Sequence, residues 1–129
     1  MGQQQLLLIV LGAIIVGISV RIGFRIVDAQ YTQQNRDQMT LQMQNIYANA
    51  EQYATKSARQ AGGGGAYTGF VLSKTMLKNT SGTYTTVVTG AKALTIVGTG
   101  VVTGNNGTSP VLVTCTVTNR KIASTVTNN

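Results

Sequence analysis

Asp28, Asp37 and Glu51 are the only carboxylates in this chain, and all three lie in its first half. There is no histidine, and Cys115 is the single cysteine. The commonest general base and metal ligand is therefore missing. One thiol makes neither an intrachain disulfide nor a cysteine-based metal site. Cys115 sits within VLVTCTVT and reads as a small buried hydrophobe of a strand rather than a reactive thiol. These residues give an enzyme almost nothing to work with, and they call for no cofactor and no metal. What they do offer is pairing. Arg21, Arg25 and Asp28 are spaced by four and three residues, which places them on one helix face with Asp28 in reach of Arg25. An arginine shut away from water needs a carboxylate, an amide or a carbonyl beside it. Asp28 of the same or an adjacent chain would serve, as would Gln3, Gln4 or Gln5. At a membrane edge the same arginines would instead snorkel into the headgroups.

The element that must carry these residues begins MGQQQLLLIVLGAIIVGISVRIGF. Leu6 to Val20 is an apolar run broken only by Gly12, Gly17 and Ser19. With Ile22 to Val27 it reaches about the length that spans a bilayer, although Arg21 and Arg25 interrupt its end. Apolar residues cover all its faces, so it is buried all round, in lipid or among other chains. Ala13 and Gly17, like Ser19 and Gly23, are four apart and would let helices approach closely. Beyond residue 28 the chain turns polar but stays periodic: Met39, Met43, Ile46, Ala50, Tyr53 and Ser57 form one stripe, with Leu41 and Tyr47 off it or at its border. No proline precedes Pro110. The pattern therefore predicts one helix from near residue 3 to about Arg59, roughly 85 Å long at 1.5 Å per residue. It divides into an apolar part over 1–27 and an amphipathic part over 28–60. Gly62 to Gly65 then stop the helix, and residues 61–66 read as a flexible joint.

From Tyr67 onward the residues are mainly Thr, Val, Gly, Ser and Asn. GFVLS, TYTTVVT, KALTIVG, GVVTG, VLVTCTVT and KIASTVT read as short strands between Gly, Asn and Pro punctuation. In VLVTCTVT the residues Val111, Val113, Cys115 and Val117 share one face, opposite Leu112, Thr114, Thr116 and Thr118. Four to six antiparallel strands are expected over 67–129, forming a head too small to bury a deep core alone. The expected fold class is α+β: a long N-terminal helix, hydrophobic and then amphipathic, followed by a small antiparallel β-rich head. The head's hydroxyl-rich surface reads first as a solvated shell, with glycan attachment or lectin-like adhesion as alternatives. Asn79 and Asn106 begin Asn-x-Ser/Thr sequons and are the candidate glycosylation sites.

The charge balance is 10 Lys+Arg against 3 Asp+Glu, a formal +7. The basic residues are scattered, without the clustered cations and stacking aromatics that track phosphates, so nucleic acid is not expected as the primary partner. No charge precedes Leu6, and the helix pattern runs on past the apolar segment, so a cleaved signal peptide fits poorly. A plain anchor fits no better. Arg21 and Arg25 would hold the C-terminal side of the segment in the cytoplasm, whereas the sequons and the Thr-rich head suit an outer surface.

An apolar N-terminal segment, a continuous amphipathic helix, a glycine-rich break and a small β head together resemble a type IV pilin or pilin-like filament subunit. The stretch Met1-Gly2-Gln3-Gln4-Gln5-Leu6-Leu7-Leu8-Ile9-Val10-Leu11-Gly12 is similar to a mature pilin N-terminus. The architecture covers the whole chain, and the residue-level likeness covers about its first 25 positions. The resemblance implies a helical homopolymer with helices in the core and heads outside. It also implies a membrane-held precursor and partners in an assembly machinery. Met1, Gln3, Gln4, Gln5, Leu6, Ala13, Gly17, Arg21, Gly23, Arg25 and Asp28 would then be the assembly residues. Gln5 stands where the family usually has a glutamate that neutralises a neighbour's terminal amine, so a hydrogen bond would replace that ion pair. The family's helix-breaking proline near residue 22 is absent. Met1 is either the first residue left after a leader is removed or the start of a chain exported without that processing. The alternative is a single-pass membrane protein displaying a small β domain.

Overall fold

A computed structural model describes residues 2–128. Its fold is α+β, with a long N-terminal helix followed by an antiparallel sheet. Helix α1 is Gly2–Thr55, followed by a 3-10 turn at Ala58–Gln60 and a short helix α2 at Lys74–Leu77. Five strands come next: β1 Lys78–Asn79, β2 Gly82–Gly90, β3 Ala93–Thr103, β4 Pro110–Thr118 and β5 Lys121–Asn128. They form one sheet in the order β1-β2-β3-β4-β5, each antiparallel to the next. The chain divides into two compact units, Met1–Tyr31 and Thr32–Asn129.

The second unit has its core between the amphipathic part of α1 and one face of the sheet. Met39, Met43, Ile46 and Ala50 are fully buried, as the four-three spacing requires. At its C-terminal end the stripe passes to Ala54 rather than through Tyr53 and Ser57. Tyr53 is half-buried, stacks obliquely on Phe70 with ring centroids 5.7 Å apart, and donates to the Thr68 carbonyl at 2.9 Å. At the other end the stripe reaches two turns further than its apolar residues, to Thr32 and Asn35. The Asn35 amide donates to the Ser81 carbonyl at 2.9 Å, and Thr32 donates to the Thr103 carbonyl at 3.3 Å.

From the sheet, Leu94, Ile96, Val111, Val113, Cys115 and Val117 point into this core. The alternation expected in β4 is observed, and the register places Ile96 opposite Cys115 and Gly98 opposite Val113. The sequences KALTIVG and GVVTG are one strand, β3, rather than two. Gly98 and Gly100 fall on its buried face, and both are sites of close approach. A Cβ on Gly98 would lie 2.8–2.9 Å from the terminal methyls of Met43 and Met39. A Cβ on Gly100 would collide with the Asn35 side chain and stand 3.0 Å from the Met39 sulfur. The glycines lower the floor of the sheet so that the helix can sit on it.

GFVLS is not a strand. Leu72 is buried and Phe70 packs against the core from a loop, and α2 follows. The helix also ends earlier than expected, at Thr55, because the glycine run folds back and caps it. The carbonyls of Tyr53, Ala54 and Lys56 accept from the amides of Gly63, Gly65 and Gly64 at 2.8, 2.6 and 2.9 Å. Gly64 and Gly65 have φ of +57° and +96°, and a Cβ on Gly62 or Gly63 would strike the backbone of Lys56 or Ala66. These residues cap the end of the helix.

The two β3 glycines are expected to differ in tolerance. Gly98→Ala meets the ends of two flexible methionines, whereas Gly100→Ala meets Asn35 and the Val111 Cβ. Chemical denaturation should show Gly100→Ala destabilised by about 1–3 kcal/mol, with Gly98→Ala the milder of the two. The opposite ranking would mean that the helix does not rest on β3 at Gly100.

Candidate assembly surface

The first unit is helix throughout its described residues and buries none of them. Every large apolar side chain from Leu6 to Val27 is exposed, from 44% at Val27 to 72% at Ile9. This helix is long and apolar enough to cross a membrane. An exposed apolar surface of this extent is the kind that lipid or another protein covers. Leu, Ile and Val supply the apolar area, and intrahelical bonds satisfy the backbone, which is what a lipid or close-packed environment requires. Ser19 is satisfied in the same way, donating to the Ile15 carbonyl at 2.8 Å.

Met1 lies outside the described residues. Gln4 and Gln5 are exposed, and Gln3 and Leu6 line a shallow groove with Leu7 and Val10. Ala13, Gly17 and Gly23 are exposed, and a Cβ on either glycine would meet nothing within 4 Å in this chain. Arg21 and Arg25 line a second groove with Ile18 and Ile22, and Asp28 is exposed on the same helix. The helix therefore brings Arg21 and Arg25 together one turn apart on an apolar wall. Among the candidate assembly residues, that is the closest gathering of charge and apolar surface.

The two sequons sit in different settings. The Asn79 side-chain carbonyl accepts from the amides of Ser81 and Gly82 at 2.9 and 3.0 Å, so it shapes the β1–β2 turn. Asn106 is exposed on the β3–β4 loop, and its side-chain carbonyl accepts from Thr108 and Ser109, both at 3.0 Å.

One polar cluster in the head has no counterpart among the sequence motifs. Arg120 donates from Nη2 to Glu51 Oε2 at 2.7 Å, and its Nε reaches Oε1 at 3.5 Å. The Tyr67 hydroxyl donates to Glu51 Oε1, and the Tyr47 hydroxyl donates to the Arg120 carbonyl at 2.8 Å. Arg120 and Asn119 are the two central residues of the β4–β5 turn, with φ of 62° and 54°. That is the left-handed backbone a two-residue hairpin needs and arginine seldom adopts. The cluster ties this turn to α1. The legible signal was the pair Tyr47 and Glu51, one helical turn apart beside the apolar stripe. The partner, Arg120, lies 69 residues away in the chain.

Burial alone would raise the Glu51 carboxyl. The Arg120 guanidinium and the Tyr67 hydroxyl, both donating to it, outweigh burial and hold it below the usual carboxylate value. Burial, and then the bond to that carboxylate, push the Tyr67 hydroxyl well above the usual tyrosine value. A lowered carboxyl contributes stability that is complete above its unfolded value, about 4.3, and that is lost as pH falls through the folded value. Melting temperature should therefore drop on acidification below about pH 4. Glu51→Gln should lose about 1 kcal/mol at pH 7, since the pair is partly solvated, and show a shallower acid limb. An acid limb identical to wild type would remove Glu51 from this role.

Among the described residues, no three His, Cys, Asp or Glu side chains gather to hold a metal ion. No protein-family model matches the chain, and neither does any curated protein or solved structure.

Proposed function

We propose that this chain is the structural subunit of a type IV pilin-like extracellular filament, polymerising through its N-terminal helix. One observation carries the reading: every large apolar side chain of the helix from Leu6 to Val27 is exposed, whereas the head gathers its main apolar cluster into a core of its own. The first surface has no core of its own to enter, and so asks for partners. Before assembly the partner is the membrane, into which an assembly machinery delivers and from which it extracts the subunit. Afterwards the partner is the same helix of neighbouring copies, packed in a helical array that stays open because each contact joins two different surfaces. The small residues Ala13, Gly17 and Gly23 give those neighbours room to approach.

Arg21 and Arg25 separate this reading from a plain single-pass anchor. In an anchor they reach the headgroups and are worth little to anything beyond membrane retention. In a filament they lose that water and take Asp28 of the same or an adjacent subunit, or Gln3 to Gln5, as acceptors. Gln5 then does by hydrogen bonding what a carboxylate does in the pilins this chain resembles.

Electron microscopy of material sheared from the cell surface is the direct test, with helical filaments expected. Recovery of the chain only from detergent-solubilised membranes would support the anchor instead. Arg21→Ala combined with Arg25→Ala should cut filament yield at least several-fold while leaving the amount of membrane-inserted subunit unchanged. Normal filaments from that variant would sink the arginine hypothesis.

A further inference from the structure

The four long strands alternate in direction, so β2 and β5 run opposite to one another. Both have open outer sides. β1 pairs only with Gly82 and Thr83 and α2 lies against β2 next to it, so on its outer side β2 from Tyr84 to Gly90 has no strand paired to it. Among the described residues, that stretch makes no backbone hydrogen bond to the neighbouring loops either. β5 is last in the sheet order, residues 121–127 are all exposed, and none of them enters the core. One helix about 10 Å wide covers about two strands spaced roughly 4.8 Å apart, which leaves β5 beyond its reach. Edge strands are commonly blunted by proline, by charge or by a covering element. β5 has no proline, and its one charge, Lys121, is at its first residue. A strand held by a single ladder, with none of residues 121–127 buried, is incomplete as it stands.

We propose that the β5 edge pairs with the free β2 edge of a second copy of this chain, so that successive heads share one continuous antiparallel sheet. This inference rests on the filament reading above. In a polar filament all copies point the same way. Because β2 and β5 are antiparallel within one head, β5 of one copy meets β2 of the next in antiparallel register with no rotation of the strand axis. Pairing of β5 with β5 would instead need a two-fold axis, which reverses one copy and closes the contact. The lengths are close: on its outer side β2 has seven residues not paired to β1, nine less two, against eight in β5. The new ladder continues the β4–β5 ladder already present. It would also bring two exposed valines on the outer face to the seam, Val87 (55% exposed) and Val126 (48%). Cross-strand apolar pairs of this kind fix register.

Cysteine crosslinking in intact filaments of the full chain tests the geometry. Thr85→Cys and Val126→Cys lie in one cross-sheet row on the outer face. Cys115 is buried and serves as the unreactive background. With a short bismaleimide, filaments of the double variant should give a ladder of covalent multimers. Each single variant should give none, and the two singles assembled together should give dimers only. Val87→Cys with Ser124→Cys, one row along, repeats the measurement if the first pair impairs folding. Dimers from Val126→Cys alone would show β5–β5 pairing and overturn the proposal. Intact double-variant filaments without a ladder would overturn it too, while leaving the filament reading in place. Absence of filaments from wild-type cells would instead remove the filament reading and this inference with it.

Discussion

The head depends on how closely one helix can lie on one strand. Met39 and Met43 rest over Gly98 and Gly100 with no Cβ between them, and Asn35 lies beside Gly100. That close approach sets the depth of the core. It lets Ile46, Leu94, Ile96, Val113 and Cys115 close into one packed cluster. It also places Asn35 to donate to Ser81, whose own hydroxyl donates to Gln38 at 2.9 Å. A sheet packed on a single helix has little apolar area to spend, so a raised floor at either glycine would be felt throughout.

The polar contacts work at the two ends of that packed region. Asn35 and Thr32 fasten the helix where β2 begins and β3 ends. Glu51, Tyr47 and Tyr67 fasten it at the β4–β5 turn. Tyr67 is also held by its backbone amide, which donates to Ala91 at 2.7 Å. Between these ends the register rests on the fit of Met39 and Met43 over Gly98 and Gly100. Hydrogen bonds at fixed positions reinforce that register, which is the role best attested for buried polar groups in packed cores.

What could be read beforehand depended on the kind of signal each element carries. Strand β4 was legible residue by residue, because Val111 to Val117 alternate with Leu112 and threonines and nothing distant overrides them. The helical stripe was legible where it is apolar, at Met39 to Ala50, and invisible at Thr32 and Asn35. Their burial rests on acceptors 71 and 46 residues away. Glycine misled in two places for one reason. At Gly62 to Gly65 it looked like freedom, and at Gly98 and Gly100 it looked like an interruption, but at most of these positions it marks a close contact. GFVLS looked like a strand because Phe70 and Leu72 are apolar, although they pack from a loop. The assembly residues were legible in a different sense. As candidates they are marked by an apolar composition that this chain itself leaves exposed.

Cys115 has a consequence of its own. It lies in the middle of β4, 2% exposed, with no second cysteine to meet. Among the described residues the head is closed by packing and hydrogen bonds rather than by a disulfide. Its closure therefore waits on no thiol oxidase, and a reductant finds no disulfide in it to open.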